Sequence, residues 1–265
     1  PITGMKLIGV TVVNDGVRRG LKIERAFLSS RIEQIVWLYE NMPRIDFDTE
    51  IDWHEHHIVL RSESDTSIQS DFATYEIQYG AVKRASNDNT SWDAAKFETC
   101  AHKYIDVSEY GYGISLLNDC KYGHSVRNGK IGLTLLTCGT YPDPEADQGK
   151  HKFTYSLMPH GGDYRTADVI GQAYLLNNPL IAKKTDGKGT LPATYSFINC
   201  DNRAIVIETV KESEDGKGLV IRAYESFGSR VTCAFVAGFA IGNIYETDLL
   251  ENKQTRIEHG TNDFS

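Results

Sequence analysis

The chain has 265 residues, of which 40% are hydrophobic and 24% are charged, a composition typical of globular proteins. Its 28 Lys and Arg residues and 36 Asp and Glu residues give a net charge of −8. This acidic balance argues against a nucleic-acid partner, because phosphates require clustered basic side chains. No apolar run approaches the roughly 20 residues that span a bilayer, so no membrane partner is predicted.

The N-terminus and the cysteines indicate the compartment. Residues 1–4 (P-I-T-G) include no initiator Met and none of the basic and apolar regions of a signal peptide, so we expect the chain to begin partway through a longer protein. The five cysteines are dispersed and form no C-x-x-C pair. An odd, scattered count predicts reduced thiols and a cytoplasmic location.

Strand patterns dominate the chain. They are predicted at residues 5–13, 21–27, 32–39, 45–53, 73–82, 113–117, 130–136 and 152–158, and then at 195–198, 204–210, 218–224 and 230–237. In residues 45–53, apolar side chains alternate with Asp46, Asp48, Glu50 and Asp52, which predicts one buried face and one wet, acidic face. Asp-Gly or Asn-Gly pairs at residues 15–16, 128–129 and 215–216 predict hairpin turns. One helix is predicted, at residues 166–176.

The pattern predicts an all-β fold of the sandwich type. Residues 179–192 are polar and rich in Lys and Gly, which indicates an exposed linker. We therefore expect a large domain over residues 1–178 and a smaller β-sandwich over residues 193–265. The second domain could be truncated at its C-terminal end. The polar tail at residues 254–265 is expected to fray.

Four polar segments are candidates for a site. Residues 53–57 (W-H-E-H-H) have the side chains of a zinc site, but nothing completes the set, and a solvated strand end is favoured. Residues 85–93 (A-S-N-D-N-T-S-W-D) could bind a sugar, although a turn-rich loop anchored by Trp92 is slightly favoured. Residues 118–123 (N-D-C-K-Y-G) and the proline-stiffened residues 141–151 both follow strands. No G-x-S-x-G, P-loop or H-E-x-x-H motif occurs.

Several of these segments, in order along the chain, resemble the α-mannosidases of glycoside hydrolase family 38. They are residues 45–55 (I-D-F-D-T-E-I-D-W-H-E), 73–80 (A-T-Y-E-I-Q-Y-G), 89–93 (N-T-S-W-D), 109–123 (E-Y-G-Y-G-I-S-L-L-N-D-C-K-Y-G) and 142–155 (P-D-P-E-A-D-Q-G-K-H-K-F-T-Y). The likeness is firm over residues 25–159 and looser as far as residue 251. The N-D-C-K-Y-G segment resembles the cytosolic and bacterial members more than the secretory ones.

The resemblance implies a galactose-mutarotase-like β-supersandwich followed by a smaller β-sandwich unit, together forming the C-terminal region of a retaining α-mannosidase. In that family a Zn²⁺ ion and the Asp nucleophile lie in an N-terminal domain. No catalytic residue and no metal ligand is therefore predicted here. The expected partners are that catalytic domain of the same polypeptide and a mannoside or oligosaccharide substrate.

The resemblance also implies that loops of this region reach the rim of the parent active site. The predicted substrate-binding residues are Asp119, Lys121, Tyr122, Asp147 and His151. In secretory relatives an Arg near the second loop reaches the active site, and here Lys150 and His151 occupy that neighbourhood. Two alternatives stay open: a stand-alone carbohydrate-binding β-sandwich, and a module that makes only the contacts of a homo-oligomer.

Overall fold

The fold is known from a computed structural model, which describes residues 4–264. The chain divides into two compact units at residue 180, with residues 79–81 grouped with the second unit. The predicted limits at residues 178 and 193 stay predictions. Within residues 4–264, neither helix has the length and apolar content to cross a bilayer.

The first unit is built on two antiparallel β-sheets. The larger has nine strands in the order β1 (Lys6–Asn14), β2 (Arg18–Phe27), β3 (Ser30–Tyr39), β4 (Ile45–Trp53), β13 (Gly149–Gly161), β10 (Tyr112–Asn118), β9 (Tyr104–Glu109), β6 (Phe72–Ile77) and β7 (Gly80–Ala85). The smaller has four, in the order β5 (Leu60–Asp65), β12 (Lys130–Leu136), β11 (Gly123–Arg127) and β8 (Thr99–Cys100). The all-β prediction is confirmed.

The core of this unit combines side chains from both sheets. Trp53 and Phe153 of the large sheet and Ile131 and Leu133 of the small sheet are at most 2% exposed and belong to one apolar cluster. Each lies on a strand where the neighbouring residues alternate in direction, so the register fixes which side chains face inward. The core lies where the two sheets face each other.

Burial on the core face decreases toward β1. One row of register partners runs across the sheet from Tyr155 through Phe47, Val36 and Leu21 to Val12. Tyr155 is 6% exposed, whereas Leu21 is 44% and Val12 is 76% exposed. The apolar pattern thus continues on β1 and β2 beyond the buried core.

The opposite face of the large sheet is covered in part by α2 (Val169–Asn177), which packs on β9 and β10. Here the predicted wet face of β4 is wrong at one position, because Asp46 is only 3% exposed. Its carboxylate accepts hydrogen bonds from Arg44 Nε (2.8 Å), Tyr39 Oη (2.6 Å) and Ser156 Oγ (2.6 Å). Arg44 also donates to the carbonyl of Gln172 in α2. Buried charges are stable only when paired in this way.

The second unit has three small sheets. They are β14 (Ile198–Cys200), β17 (Phe235–Ala237) and β20 (Asp263–Phe264); β15 (Ile205–Glu212) with β16 (Leu219–Glu225); and β18 (Ile244–Thr247) with β19 (Lys253–Ile257). Several sequence predictions change here. The run predicted at residues 230–237 is a strand only at its end, and the tail that was expected to fray forms β19 and pairs β20 with β17.

One strand predicted in the first unit is also wrong, because residues 73–82 form two strands. Tyr79 has a positive φ of 56° and precedes Gly80, so the chain reverses between β6 and β7. A short helix, α1 (Ser91–Ala95), was not predicted, and Thr90 caps it by accepting a hydrogen bond from Asp93 N at 3.1 Å.

Candidate functional site

One end of the first unit collects most of the predicted site segments. β4 ends and β13 begins there, because Trp53 pairs with Gly149. The backbone N–H of His57 donates to the carbonyl of Cys138 (2.9 Å), and the side chain of Gln148 donates to the carbonyl of Glu55 (2.8 Å). Residues 118–122 adjoin the same part of β13. We call residues 54–57, 118–122 and 137–151 the rim.

The turn at residues 118–122 is held by Asn118, which the sequence did not single out. This residue is 1% exposed; its Nδ2 donates to the carbonyl of His102 (2.7 Å), and its Oδ1 accepts from Lys121 N (2.6 Å). His124 is fully buried, with Nδ1 3.1 Å from the carbonyl of Tyr122. Burial lowers the pKa of His124 to about 4, so its ring is neutral at pH 7.

Asp119 continues the β10–β13 ladder by one step. Its backbone N–H donates to the carbonyl of Thr154 (3.1 Å), and its Oδ2 accepts from the N–H of Thr154 (2.9 Å). Its Oδ1 is buried and has no hydrogen-bond partner of normal geometry among residues 4–264. Asp119 therefore positions the turn. Burial, as the largest cause, and the Asp119 carboxylate together raise the pKa of the adjacent Cys120 thiol.

Cys120 and Tyr122 are the exposed residues of this turn, and Lys121 is half-buried. The ammonium group of Lys121 lies 4.7 Å from the ring centroid of Phe153, a cation–π distance. The Tyr122 ring is 51% exposed and meets the ring of His102 edge-on at 5.5 Å. Both side chains combine a packed apolar part with a polar tip, which suits them to bind hydroxyl groups.

Asp147 organises the second loop from the inside. Its Oδ2 accepts three hydrogen bonds, from Thr137 N (2.8 Å), Thr137 Oγ1 (3.1 Å) and Cys138 N (3.0 Å). Burial alone would raise the pKa of Asp147, but these hydrogen bonds outweigh it and lower the pKa below its ordinary value. The Nε2 of His151 lies 2.9 Å from the carbonyl of Asp147 and must donate to it, because a carbonyl only accepts.

Residues 53–57 (W-H-E-H-H), considered above as a zinc site, lie at the rim, where their side chains form hydrogen bonds and an ion pair with neighbouring residues. Glu55 is 8% exposed, and its Oε1 accepts from Ser29 N and Ser30 Oγ, both at 2.8 Å. His54 Nε2 lies 3.1 Å from the carboxylate of Asp52 at the surface. Within residues 4–264, no group of three or more His, Cys, Asp or Glu side chains is arranged to hold a metal ion.

A cavity of about 390 Å³ adjoins the rim at His151. Its lining combines acidic, basic and apolar side chains, contributed by Ile8, Glu24, Arg25, Arg31, Ile32, Glu33, Glu50, Ile51, Asp52, Lys150, His151 and Lys152. The five predicted residues thus lie at one end of one unit. Whether any of them touches a substrate stays a prediction.

Both units match known sequence families. Residues 8–145 match the family described as "Glycosyl hydrolases family 38 C-terminal domain", and residues 204–264 match "Glycosyl hydrolases family 38 C-terminal beta sandwich domain". The chain belongs to glycosyl hydrolase family 38. The family resemblance seen in the sequence is confirmed, and the two matches lie on either side of the division between the units.

Several curated relatives of the chain are named α-mannosidases. The chain is 43% identical over 245 residues to human "Alpha-mannosidase 2C1", covering 89% of this chain and 23% of that protein. It is 44% identical over 208 residues to "Alpha-mannosidase G" of Dictyostelium discoideum, covering 78% of this chain and 19% of that protein. The chain therefore spans about a quarter or less of these curated relatives.

Solved structures show the same fold. The crystal structure of an α-mannosidase from Enterococcus faecalis V583 aligns with a TM-score of 0.81, covering 96% of this chain and 33% of that one. The sequence identity is 19%, so this likeness supports the architecture and not the chemistry.

Proposed function

We propose that this chain is the C-terminal β region of a retaining α-mannosidase that releases terminal α-D-mannose from oligosaccharides. In this proposal the rim completes the pocket of a catalytic domain carried elsewhere in the same polypeptide. Family membership over both units and the names of the relatives support it. The chain contributes structure and sugar contacts, and it is not catalytic alone.

The convergence of three rim segments is the observation that carries the proposal. Residues 54–57 and 137–151 are joined by hydrogen bonds from His57 and Gln148. The turn at residues 118–122 is bonded through Asp119 to Thr154 of β13, the strand that follows the 137–151 loop.

The rim residues have distinct proposed roles. Asp147 and His151 fix the backbone of the 137–151 loop, and Asp119 fixes the turn against β13. Lys121 and Tyr122 carry the polar tips, so we assign them the contacts to sugar hydroxyls. Retaining hydrolysis further requires two opposed carboxyl groups, which we place in the catalytic domain.

A zinc ion is also proposed for that catalytic domain, where it would orient sugar hydroxyls. The proposal assigns none of its ligands to this chain. The cytoplasmic location is a proposal as well, consistent with five free thiols. Cell fractionation with an antibody against this chain would test it, and recovery in the secretory fraction would refute it.

The decisive test compares this chain with the whole protein that contains it, using an aryl α-mannoside. We expect no turnover by the chain alone. The whole protein should turn over, lose activity to a chelator and regain it with Zn²⁺. Turnover by the repurified 265-residue chain would overturn the assignment of catalysis to another domain.

The rim is tested by Tyr122→Phe and Lys121→Met in the whole protein. Loss of one hydrogen bond to a sugar hydroxyl should lower kcat/KM about tenfold, which corresponds to roughly 1.4 kcal/mol. Tyr110→Phe is the matched control, because Tyr110 is fully exposed in the β9–β10 turn at the other end of the unit. Unchanged kinetics together with lost assembly in the rim variants would instead support the oligomerisation role.

A further inference from the structure

A second cavity, of about 590 Å³, lies at the opposite end of the first unit. We call it the loop pocket and define it by residues 66–71, 86–89 and 127–129. Strand β12 begins at Lys130 beside this pocket and ends at Leu136 beside rim residue Thr137. Six strand steps separate the two, a distance of about 20 Å. The loop pocket is therefore not part of the rim.

Hydrogen bonds between loops hold the walls of the loop pocket. The N–H of Thr66 donates to the carbonyl of Gly129 (2.7 Å), which ties residues 66–71 to the β11–β12 hairpin turn at residues 127–129. The N–H of Ser86 donates to the carbonyl of Asp71 (3.0 Å), which ties residues 66–71 to residues 86–89. All three segments are thus fixed to one another, and the pocket is preformed, as small-ligand sites usually are.

Neutral polar residues outnumber the charged residues of the lining, which are Asp71, Asp88 and Arg127. The guanidinium of Arg127 is paired with the carboxylate of Asp88, so the pocket offers no unpaired Arg to a phosphate. The side-chain amides of Gln69, Asn89 and Asn128 line the pocket and form no hydrogen bond with any residue between 4 and 264. Each amide both donates and accepts, which matches the two-way bonding of sugar hydroxyls.

An apolar floor completes the pocket. Ile68, Val107 and Val126 line it and are at most 5% exposed. The Trp92 ring, 80% exposed, precedes Asp93, whose carbonyl accepts a hydrogen bond from Arg127 of the pocket wall. An apolar floor beside side-chain amides can bind the C–H and O–H groups of a pyranose.

We propose that the loop pocket is a second carbohydrate site, which binds a neutral pyranoside independently of the rim. The segment at residues 85–93, where a turn-rich loop was the slightly favoured sequence interpretation, thereby gains a binding role. This inference does not depend on which reaction the parent protein performs, because it concerns binding to this chain alone.

The test is an NMR titration of the ¹⁵N-labelled 265-residue chain with methyl α-D-mannopyranoside, methyl α-D-glucopyranoside and inorganic phosphate. A ligand of this size with a few hydrogen bonds should bind with a Kd on the order of 1 mM. We expect saturable shifts at Thr66, Gly129 and their neighbours for at least one glycoside, and none there for phosphate. The fluorescence of Trp92, the one exposed tryptophan within residues 4–264, should change in parallel.

The matched variants are Gln69→Ala/Asn89→Ala and the control Gln254→Ala/Asn41→Ala, which removes one exposed Gln and one exposed Asn elsewhere. The first pair should weaken binding at least tenfold, and the control should not. Absence of saturable shifts, equal shifts with phosphate, or equal affinity in both double variants would each overturn the inference. Shifts confined to residues 118–122 and 137–151 would also overturn it, while leaving the proposed rim intact.

Discussion

Replacing Asp147 with Ala should destabilise the first unit through the loop that it holds. All three hydrogen bonds of the carboxylate converge on Oδ2, and two of their donors are the backbone N–H groups of Thr137 and Cys138. At about 1 kcal/mol per bond, the loss is about 3 kcal/mol. The N–H of Cys138 belongs to a fully buried residue, so water cannot easily replace the carboxylate.

Asp147→Asn separates geometry from charge. An amide oxygen in the place of Oδ2 can accept the same three bonds, so this variant should lose only about 1 kcal/mol. The pKa of Asp147 is lowered in the folded state from its ordinary 3.8, so its contribution is complete above about pH 5 and is lost as pH falls through the folded pKa. The difference between the native chain and Asp147→Asn should therefore shrink as the pH falls below about 5.

Urea unfolding followed by tryptophan fluorescence measures this effect selectively. All three tryptophans lie in the first unit, so the signal does not report on the second. Glu145→Ala, which removes an exposed carboxylate from the same loop, is the control. The reasoning fails if Asp147→Ala unfolds within about 0.5 kcal/mol of that control, or if the Asn and Ala variants are equally unstable.

Three further predictions concern the buried polar groups and the tight sheet contacts. Gly113→Ala places a Cβ 2.4 Å from Cε1 of the buried His160 and should cost about 2–3 kcal/mol in urea unfolding, whereas Gly161→Ala meets nothing closer than 3.9 Å and should be near neutral. Asp46→Ala leaves a buried guanidinium unpaired and should cost about 3–5 kcal/mol; a loss below 1 kcal/mol would count against a buried ion pair. In an NMR pH titration His124 should stay neutral down to about pH 4, and a midpoint at the ordinary 6.5 would contradict this.

The strands of the first unit could be predicted because their signal is local. Alternating apolar residues and Asn-Gly or Asp-Gly turns are encoded within a few positions, and β2, β3, β4 and β12 appear close to where the sequence places them. The errors arise from tertiary contacts. The alternating pattern predicts that the Asp46 carboxylate faces solvent. In the structure Arg44 pairs with it, and Arg44 is in turn bonded to α2, which lies more than 120 residues later in the sequence.

The sequence predicts which segments form the candidate site, but it does not predict what their individual side chains do. The sequence marks residues 118–123 and 141–151, and the structure brings them to one end of the sheet. It cannot show that the carboxylates of Asp119 and Asp147 are engaged by backbone N–H groups 35 and 9–10 positions away. Asn118, an ordinary polar residue after a strand, holds the turn through contacts that no spacing rule reveals.

The gradient of burial from Tyr155 to Val12 has a practical meaning for anyone who handles this polypeptide. β1 is the edge strand of its sheet, and its apolar side chains are exposed to solvent. Uncovered borders of this kind attract identical molecules and seed precipitation. Concentrated preparations will therefore benefit from charged replacements at Val10 and Val12, two positions where lost packing has little to damage.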